Sequence, residues 1–219
     1  MGIFNGFKKN KYEMYSEEEL NAIDNHIVKF YGKYETVLHE LVSTDIHVDI
    51  IKILPNEERN YITLVTEGMG AHSMNVPKSL KNQDIDRIEL VCYLPADWDI
   101  ESNDDIWYWP ISCLKMLARL PIYENSWLGF GHTIGVAEGE TLAENTKLTN
   151  VMLIKPENVS EDATYCLLPN GEKVLFYQMI AIYTEEFEFI EENDSDIFIE
   201  KMKQQNISSI IDINRNCCQ

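Results

Sequence analysis

The side chains best equipped for chemistry in this chain are His39, His47, Asp49 and His132. His47 and Asp49 stand two residues apart in a β-branched run, so a strand would turn both to one face, with His39 on the extended segment before it. Imidazole and carboxylate donors meeting there would form a metal site. The spacing contains no HExxH, His-x-His or CxxC, so the competing reading, a hydrogen-bonded histidine beside a buried aspartate, leads, and neither metal nor cofactor is expected. Nucleophilic catalysis would need a serine or cysteine with a positioned base. No GxSxG is present, Cys92 falls on the apolar phase of a strand, and Cys113 sits in a helix as a packing or partly exposed residue. Thr66-Glu67-Gly68-Met69-Gly70 lacks the GxxxxGK[ST] pattern of a phosphate loop and reads as a strand end with a tight turn. No catalytic constellation assembles, so an enzyme is not expected.

These residues need elements to position them. Ser16 and Glu19 have the spacing of a capping box, and Leu20, Ile23, Ile27 and Phe30 follow at helical intervals, which predicts an amphipathic helix over 17–33 ending near Gly32. Strands are expected at 34–41 and 46–54, separated by Ser43-Thr44-Asp45. In the second, the apolar phase shifts from Ile46, Val48 and Ile50 to Ile51 and Ile53, the mark of a bulge or of burial on both faces. Further strands are expected at 61–66, 85–94, 151–154 and 173–183, the last after a turn at Pro169-Asn170-Gly171. An acidic loop at 97–105 leads into a helix with Pro110 in its first turn and Ile111, Leu114, Leu117 and Ala118 on its buried face. Residues 121–146 are long and irregular, as functional loops often are. An acidic helix begins near Glu185, and a last helix over 194–205 turns Ile197, Phe198 and Met202 inward. The pattern is that of a mixed α+β domain. One domain over 1–219 is expected, with its core at about 16–205, frayed ends, and Cys217-Cys218 as exposed thiols.

Eighteen basic and 37 acidic residues leave a net charge of −19, which repels phosphate backbones and argues against nucleic-acid partners. The same charge suits a protein partner with a basic surface, or simply solubility. Two clusters stand out. Asp99, Glu101, Asp104 and Asp105 surround Trp107, an aromatic among carboxylates that is the candidate partner-binding site. Glu185, Glu186, Glu188, Glu191, Glu192, Asp194 and Asp196 interleave with Phe187, Phe189 and Ile190, as a partner-facing helix or a solvated edge would. No run of 18 apolar residues spans a membrane. Residues 1–11 lack a leader, and Gly6-Phe7 stands where a myristoylation motif requires Ser or Thr. An odd cysteine count without CxxC points to a reducing cytoplasm.

One stretch carries a family resemblance. Trp109-Pro110-Ile111-Ser112-Cys113-Leu114-Lys115-Met116-Leu117-Ala118-Arg119-Leu120-Pro121 is followed by Trp127 and Gly131-His132-Thr133. It is preceded, in order, by His47-Val48-Asp49, Thr66-Glu67-Gly68-Met69, and Glu89-Leu90 leading to Leu94-Pro95-Ala96-Asp97-Trp98. Together these blocks resemble the suppressor of fused domain family. The resemblance implies a mixed, mostly antiparallel β-sheet packed with helices. It also implies structural signature roles for His47, Asp49, Gly68, Met69, Leu94, Pro95, Trp98, Trp109, Pro110, Leu114, Ala118, Arg119, Trp127, Gly131 and His132. In animals the family's two-domain regulator sequesters a transcription factor. This chain matches its first domain alone, with Leu120 and Gly131 near the positions of the clamp between domains, so that function does not carry over. Single-domain members resemble bacterial immunity proteins of polymorphic toxin systems. The expected role is therefore a cytoplasmic, non-catalytic module that neutralises a toxin domain, with a peptide-binding regulatory adaptor as the alternative.

Overall fold

The computed structural model describes residues 12–43 and 45–218; the stretch read for a leader, and Thr44 of the expected turn, lie outside them. Helix α1 (Glu17–Phe30) starts on the capping box: the Glu19 amide donates to Ser16 Oγ and the Ser16 amide to Glu19 Oε2. It stops three residues earlier than expected, where Tyr31 and Gly32 both donate to the Ile27 carbonyl. Strands β1 (Thr36–Leu38), β2 (Asp49–Ile53), β3 (Tyr61–Glu67) and β4 (Ile88–Pro95) form an antiparallel meander. Helix α2 (Asp105–Tyr123) follows, then β5 (Thr133–Gly135), β6 (Asn150–Ile154), β7 (Tyr165–Leu167) and β8 (Lys173–Ile182), and finally α3 (Thr184–Asn193) and α4 (Ser195–Gln204). Strand β8 pairs with β4 in parallel and with β6 and β7 antiparallel, giving a mixed sheet in the order β1-β2-β3-β4-β8-β6-β5, with β7 beside the start of β8.

The sheet is covered on both faces. On one, Trp109, Ile111, Leu114, Leu117 and Ala118 of α2 pack on Ile50, Leu64, Leu90, Cys92 and Met179. On the other, Ile23, Ile27 and Tyr31 of α1 and its cap pack on Ile51, Val65, Val91, Tyr93 and Phe176. Further along that face, Ile190, Phe198 and Met202 of α3 and α4 cover Met152, Ile180 and Ile182. Each fully buried Ile or Leu contributes about 1.5–3 kcal/mol. The phase shift at 50–53 therefore reflects a strand buried on both sides, and β4 shows the same two-sided pattern.

Several expectations are corrected. Helix α2 begins at Asp105, so Pro110 lies inside it. The missing Pro110 N–H would leave the Ile106 carbonyl bare, and Asn145 Nδ2 donates to that oxygen at 3.2 Å. Helix α2 also runs through Pro121, shortening the expected loop, within which β5 forms. Strand β1 is far shorter than 34–41, and β7, three residues long, had no pattern to announce it. Leu20 and Ile197, read as inward, are 39% and 52% exposed. The tail after 205 is packed: Ile211 and Cys218 are buried, the Ile211 amide donates to Tyr93 O, and Gln178 Nε2 donates to Ser209 O. Among the described residues no helix is long and apolar enough to cross a membrane.

Candidate functional site

His39, His47, Asp49 and His132 do not come together. His39 follows edge strand β1, whereas His132 precedes β5 at the other edge of the sheet and packs edge-on against Trp127, ring centroids 4.3 Å apart. Burial holds the His132 ring below its ordinary pKa. Among the described residues no three His, Cys, Asp or Glu side chains are placed to share a metal ion.

The other three belong to a polar lattice at the β1–β2 edge. Asp49 takes His39 Nδ1 on one oxygen at 2.8 Å, and the Glu40 amide at 2.8 Å and His47 Nε2 at 3.3 Å on the other. His47 Nδ1 meets Ser43 Oγ at 2.8 Å, and Ser43 donates to Glu40 at 2.7 Å. Arg119 reaches across from α2 to pair with Glu40 and Asp45 and to donate to the Ile46 carbonyl. His47, Asp49 and Arg119 thus tie the β1–β2 connection to the helix, an arrangement in which losing one charged partner strands the others.

A row of carboxylates crosses the sheet on the α1 face. Asp49 of β2 pairs with Glu67 of β3, and the β3–β4 register carried on by two residues sets Glu67 opposite Glu89. Glu89 is fully buried and accepts four hydrogen bonds, from Tyr15 Oη, Thr66 Oγ1, and the Gly68 and Gly70 amides. Burial still pushes its carboxyl up to about 6, against those four donors. This explains the Gly68-Met69 block: Gly68 has φ +123°, and a Cβ there would lie 2.1 Å from the His47 carbonyl oxygen. Glu67 has less support. Its Oε1 is buried without a partner, and burial, reinforced by the charges of Glu89, Asp24 and Asp49, pushes its carboxyl up to about 8.

The tryptophans form a second cluster. Trp98 donates its indole N–H to the Trp107 carbonyl at 2.9 Å, and its ring meets Trp107 and Trp109 edge-on at 5.1 and 6.2 Å. Leu94, Leu114 and Ala118 complete the core beneath, with Pro95 ending β4. Gly131, at φ +82°, brings its backbone against α4, where Ser195 Oγ would lie 2.5 Å from an added Cβ.

The five candidate partner-binding residues are split by the fold. Trp107 is half-buried against its neighbours, and Glu101 is the counterion of Lys52, whose side chain is 4% exposed. Asp99 is exposed. Asp104 and Asp105 instead line a groove of about 740 Å³ with Glu140 and Glu144, residues that sequence reasoning did not single out, although it marked their loop by its length. The acidic cluster at 185–196 is likewise divided. Glu186 is fully buried and paired with Arg215 through both oxygens, and it also accepts the Tyr183 and Cys218 amides. This clamp holds the tail, so Cys218 is buried rather than an exposed thiol.

A family model described as Suppressor of fused protein (SUFU) matches residues 44–216. Among solved structures, a putative SUFU homologue from Neisseria gonorrhoeae FA 1090 superposes with a TM-score of 0.69 at 16% identity, covering 93% of this chain and 98% of that one. The Sufu–Fu complex structure gives a TM-score of 0.65 at 15% identity, with 91% of each chain covered. Drosophila Suppressor of Fused gives 0.60 at 16% identity, covering 85% of this chain and 47% of the Drosophila chain. No curated protein matches.

Proposed function

Because the chain belongs to the suppressor of fused family, we propose that it is a non-catalytic protein-binding module of the bacterial cytoplasm, folded as one domain, that neutralises a cognate basic toxin. The observation that carries this reading is the division of its acids into two populations. Glu40, Asp49, Glu89 and Glu186 serve the framework, bonded within the protein. Many of the remaining acids face solvent in a chain of net charge −19, with Asp104, Asp105, Glu140 and Glu144 gathered round one groove. Such a surface steers a cationic partner and can cover a phosphate-binding cleft by charge complementarity. The likeness to a Sufu–Fu complex supports a protein partner.

The test is co-expression with the adjacent toxin-like reading frame in a sensitive host. Rescue of growth together with co-purification is the expected result; toxicity without rescue refutes the proposal. The alternative, a regulatory adaptor binding an extended peptide, draws on Leu41 and Val42, which are 94% and 78% exposed beside the edge strand β1. Competition by a short peptide from a partner would favour it.

A further inference from the structure

Over the polar lattice at the β1–β2 edge, four large apolar side chains stand open: Leu41, Val42, Tyr123 and Tyr12, at 94%, 78%, 66% and 40% exposure. Contacts beneath them bring the four together. Leu41 and Val42 lie between Glu40 and Ser43, which are bonded to each other at 2.7 Å. The Tyr123 hydroxyl stands next to the Asp45 carboxylate, and Asp45 shares Arg119 with Glu40. The Tyr12 ring lies 6.1 Å from that of His47, whose Nδ1 meets Ser43. Apolar residues exposed singly need no explanation, but a group gathered on one bonded base marks a surface that something covers.

Direction, reach and chemistry select residues 1–11 of the same chain as that cover. The Glu13 amide donates to the Asp45 carbonyl at 2.8 Å and the His47 amide to the Glu13 carbonyl at 3.1 Å, a parallel bridge between Glu13 and Ile46. Going from Glu13 toward the N-terminus thus runs the same way as going from Ile46 back toward Ser43 and Val42. The backbone before Tyr12 is therefore aimed at the patch. Phe7 and Phe4 precede Tyr12 closely enough to reach up to about 18 and 29 Å from it on extended chain. Residues 1–11 carry Ile3, Phe4 and Phe7, the cations Lys8, Lys9 and Lys11, and no acid, in a chain of net charge −19. Among the described residues, the lattice sets Glu40, Asp45 and Asp49 against Arg119 as its one permanent cation. Exposed Glu124, beside Tyr123, enters no ion pair there. A second copy would set −19 against −19, which repels. An outside peptide has to bind from solution, whereas a tethered segment meets the patch at an effective concentration on the order of millimolar.

We propose that residues 1–11 fold back as a strap. Ile3, Phe4 and Phe7 cover Leu41, Val42 and Tyr123, and the three lysines face the acidic lattice and Glu124. The proposal is independent of the toxin reading. It bears on the adaptor alternative, because a peptide seeking Leu41 and Val42 would have to displace the strap.

The test uses the full chain and trypsin, with cleavage after Lys8, Lys9 and Lys11 followed by mass spectrometry. Only the open fraction is cut, so docking slows cleavage in proportion. With a contact affinity of about 0.1 mM against about 1 mM effective concentration, roughly one molecule in ten is open. Ile3→Ser/Phe4→Ser/Phe7→Ser, which keeps every lysine, should therefore be cut about tenfold faster than wild type. Leu41→Ser/Val42→Ser, altered at exposed positions, should be cut faster by a similar factor, and combining the two sets should add little. Equal rates in wild type and the strap variant overturn the proposal. Unchanged cleavage of the Leu41/Val42 variant overturns it too, since the strap would then lie elsewhere. Wild-type cleavage per molecule that quickens on dilution would mean that a second copy covers the patch, and also overturns it. In ¹H–¹³C spectra the Leu41 and Val42 methyl peaks should move when Phe4 and Phe7 are replaced, as their ring currents are lost. A synthetic peptide of residues 1–11, added to that variant at millimolar concentration, should move them back; peaks that never move overturn the contact. Failure of the chain to rescue cells from a toxin would remove the immunity reading and leave each of these outcomes decisive for the strap.

Discussion

Replacing Glu67 by Gln should make the protein more stable as pH rises. Glu67 sits between Asp49 and Glu89 in the carboxylate row, with Oε1 buried and unpaired. Burial first, then the charges of Glu89, Asp24 and Asp49, raise its carboxyl from 4.5 to about 8. A folded-state value above the unfolded one means that the folded protein holds the proton more tightly. The resulting stability is complete below 4.5 and is lost as pH climbs through 8. At about 1.4 kcal/mol per pH unit the whole interval caps the effect at about 5 kcal/mol, and the part above pH 6 at about 2.7 kcal/mol. Residual solvent contact reduces that to about 1–2 kcal/mol. Glu89 titrates near 6, so a window from about pH 6.5 to 8.5 isolates Glu67. The assay is urea unfolding followed by tryptophan fluorescence across that window. Wild type should lose stability relative to Glu67→Gln, which mimics the protonated carboxyl, and the gap should close toward the acid end. Parallel profiles would refute both the placement of Glu67 and the argument from it.

Gly68→Ala must move the His47 backbone or the turn; a loss of about 3 kcal/mol or more, read as the thermal midpoint or as failure to accumulate soluble protein, is expected. Arg215→Met leaves Glu186 buried and unpaired and should cost about 3–5 kcal/mol, whereas Arg215→Met/Glu186→Leu should recover much of that in the same unfolding assay. Asn145→Ala should cost about 1 kcal/mol in the native protein and less in a Pro110→Ala background, where the restored amide can satisfy the Ile106 carbonyl; additive costs would contradict that account of Pro110.

The elements readable from sequence are those set by near neighbours. The capping box at Ser16, the β4 strand and the apolar face of α2 depend on spacings of two to four residues, and each lies where its pattern put it. The start of α2 was misplaced because proline usually opens a helix, and the side chain that lets Pro110 sit deeper, Asn145, comes from another loop. Glu186 and Glu188 look alike in the chain, yet one is buried against Arg215 and the other is exposed. Glu101 and Asp104 are both exposed, yet Glu101 is bound to Lys52 and Asp104 faces the groove.

By itself, then, the sequence determined the α+β class, the strongly acidic surface and most of the core, because periodicity and composition are local properties, and its ordered motif blocks carried the family resemblance. Only the tertiary structure decided which acids are framework and which are free, that His132 stands apart from His47 and Asp49, and that Asp104 and Asp105 share a groove with Glu140 and Glu144. Desolvating a charge requires a partner, and several partners here are remote in the chain, Arg215 for Glu186, Tyr15 for Glu89 and Arg119 for Glu40, at separations that no local pattern records.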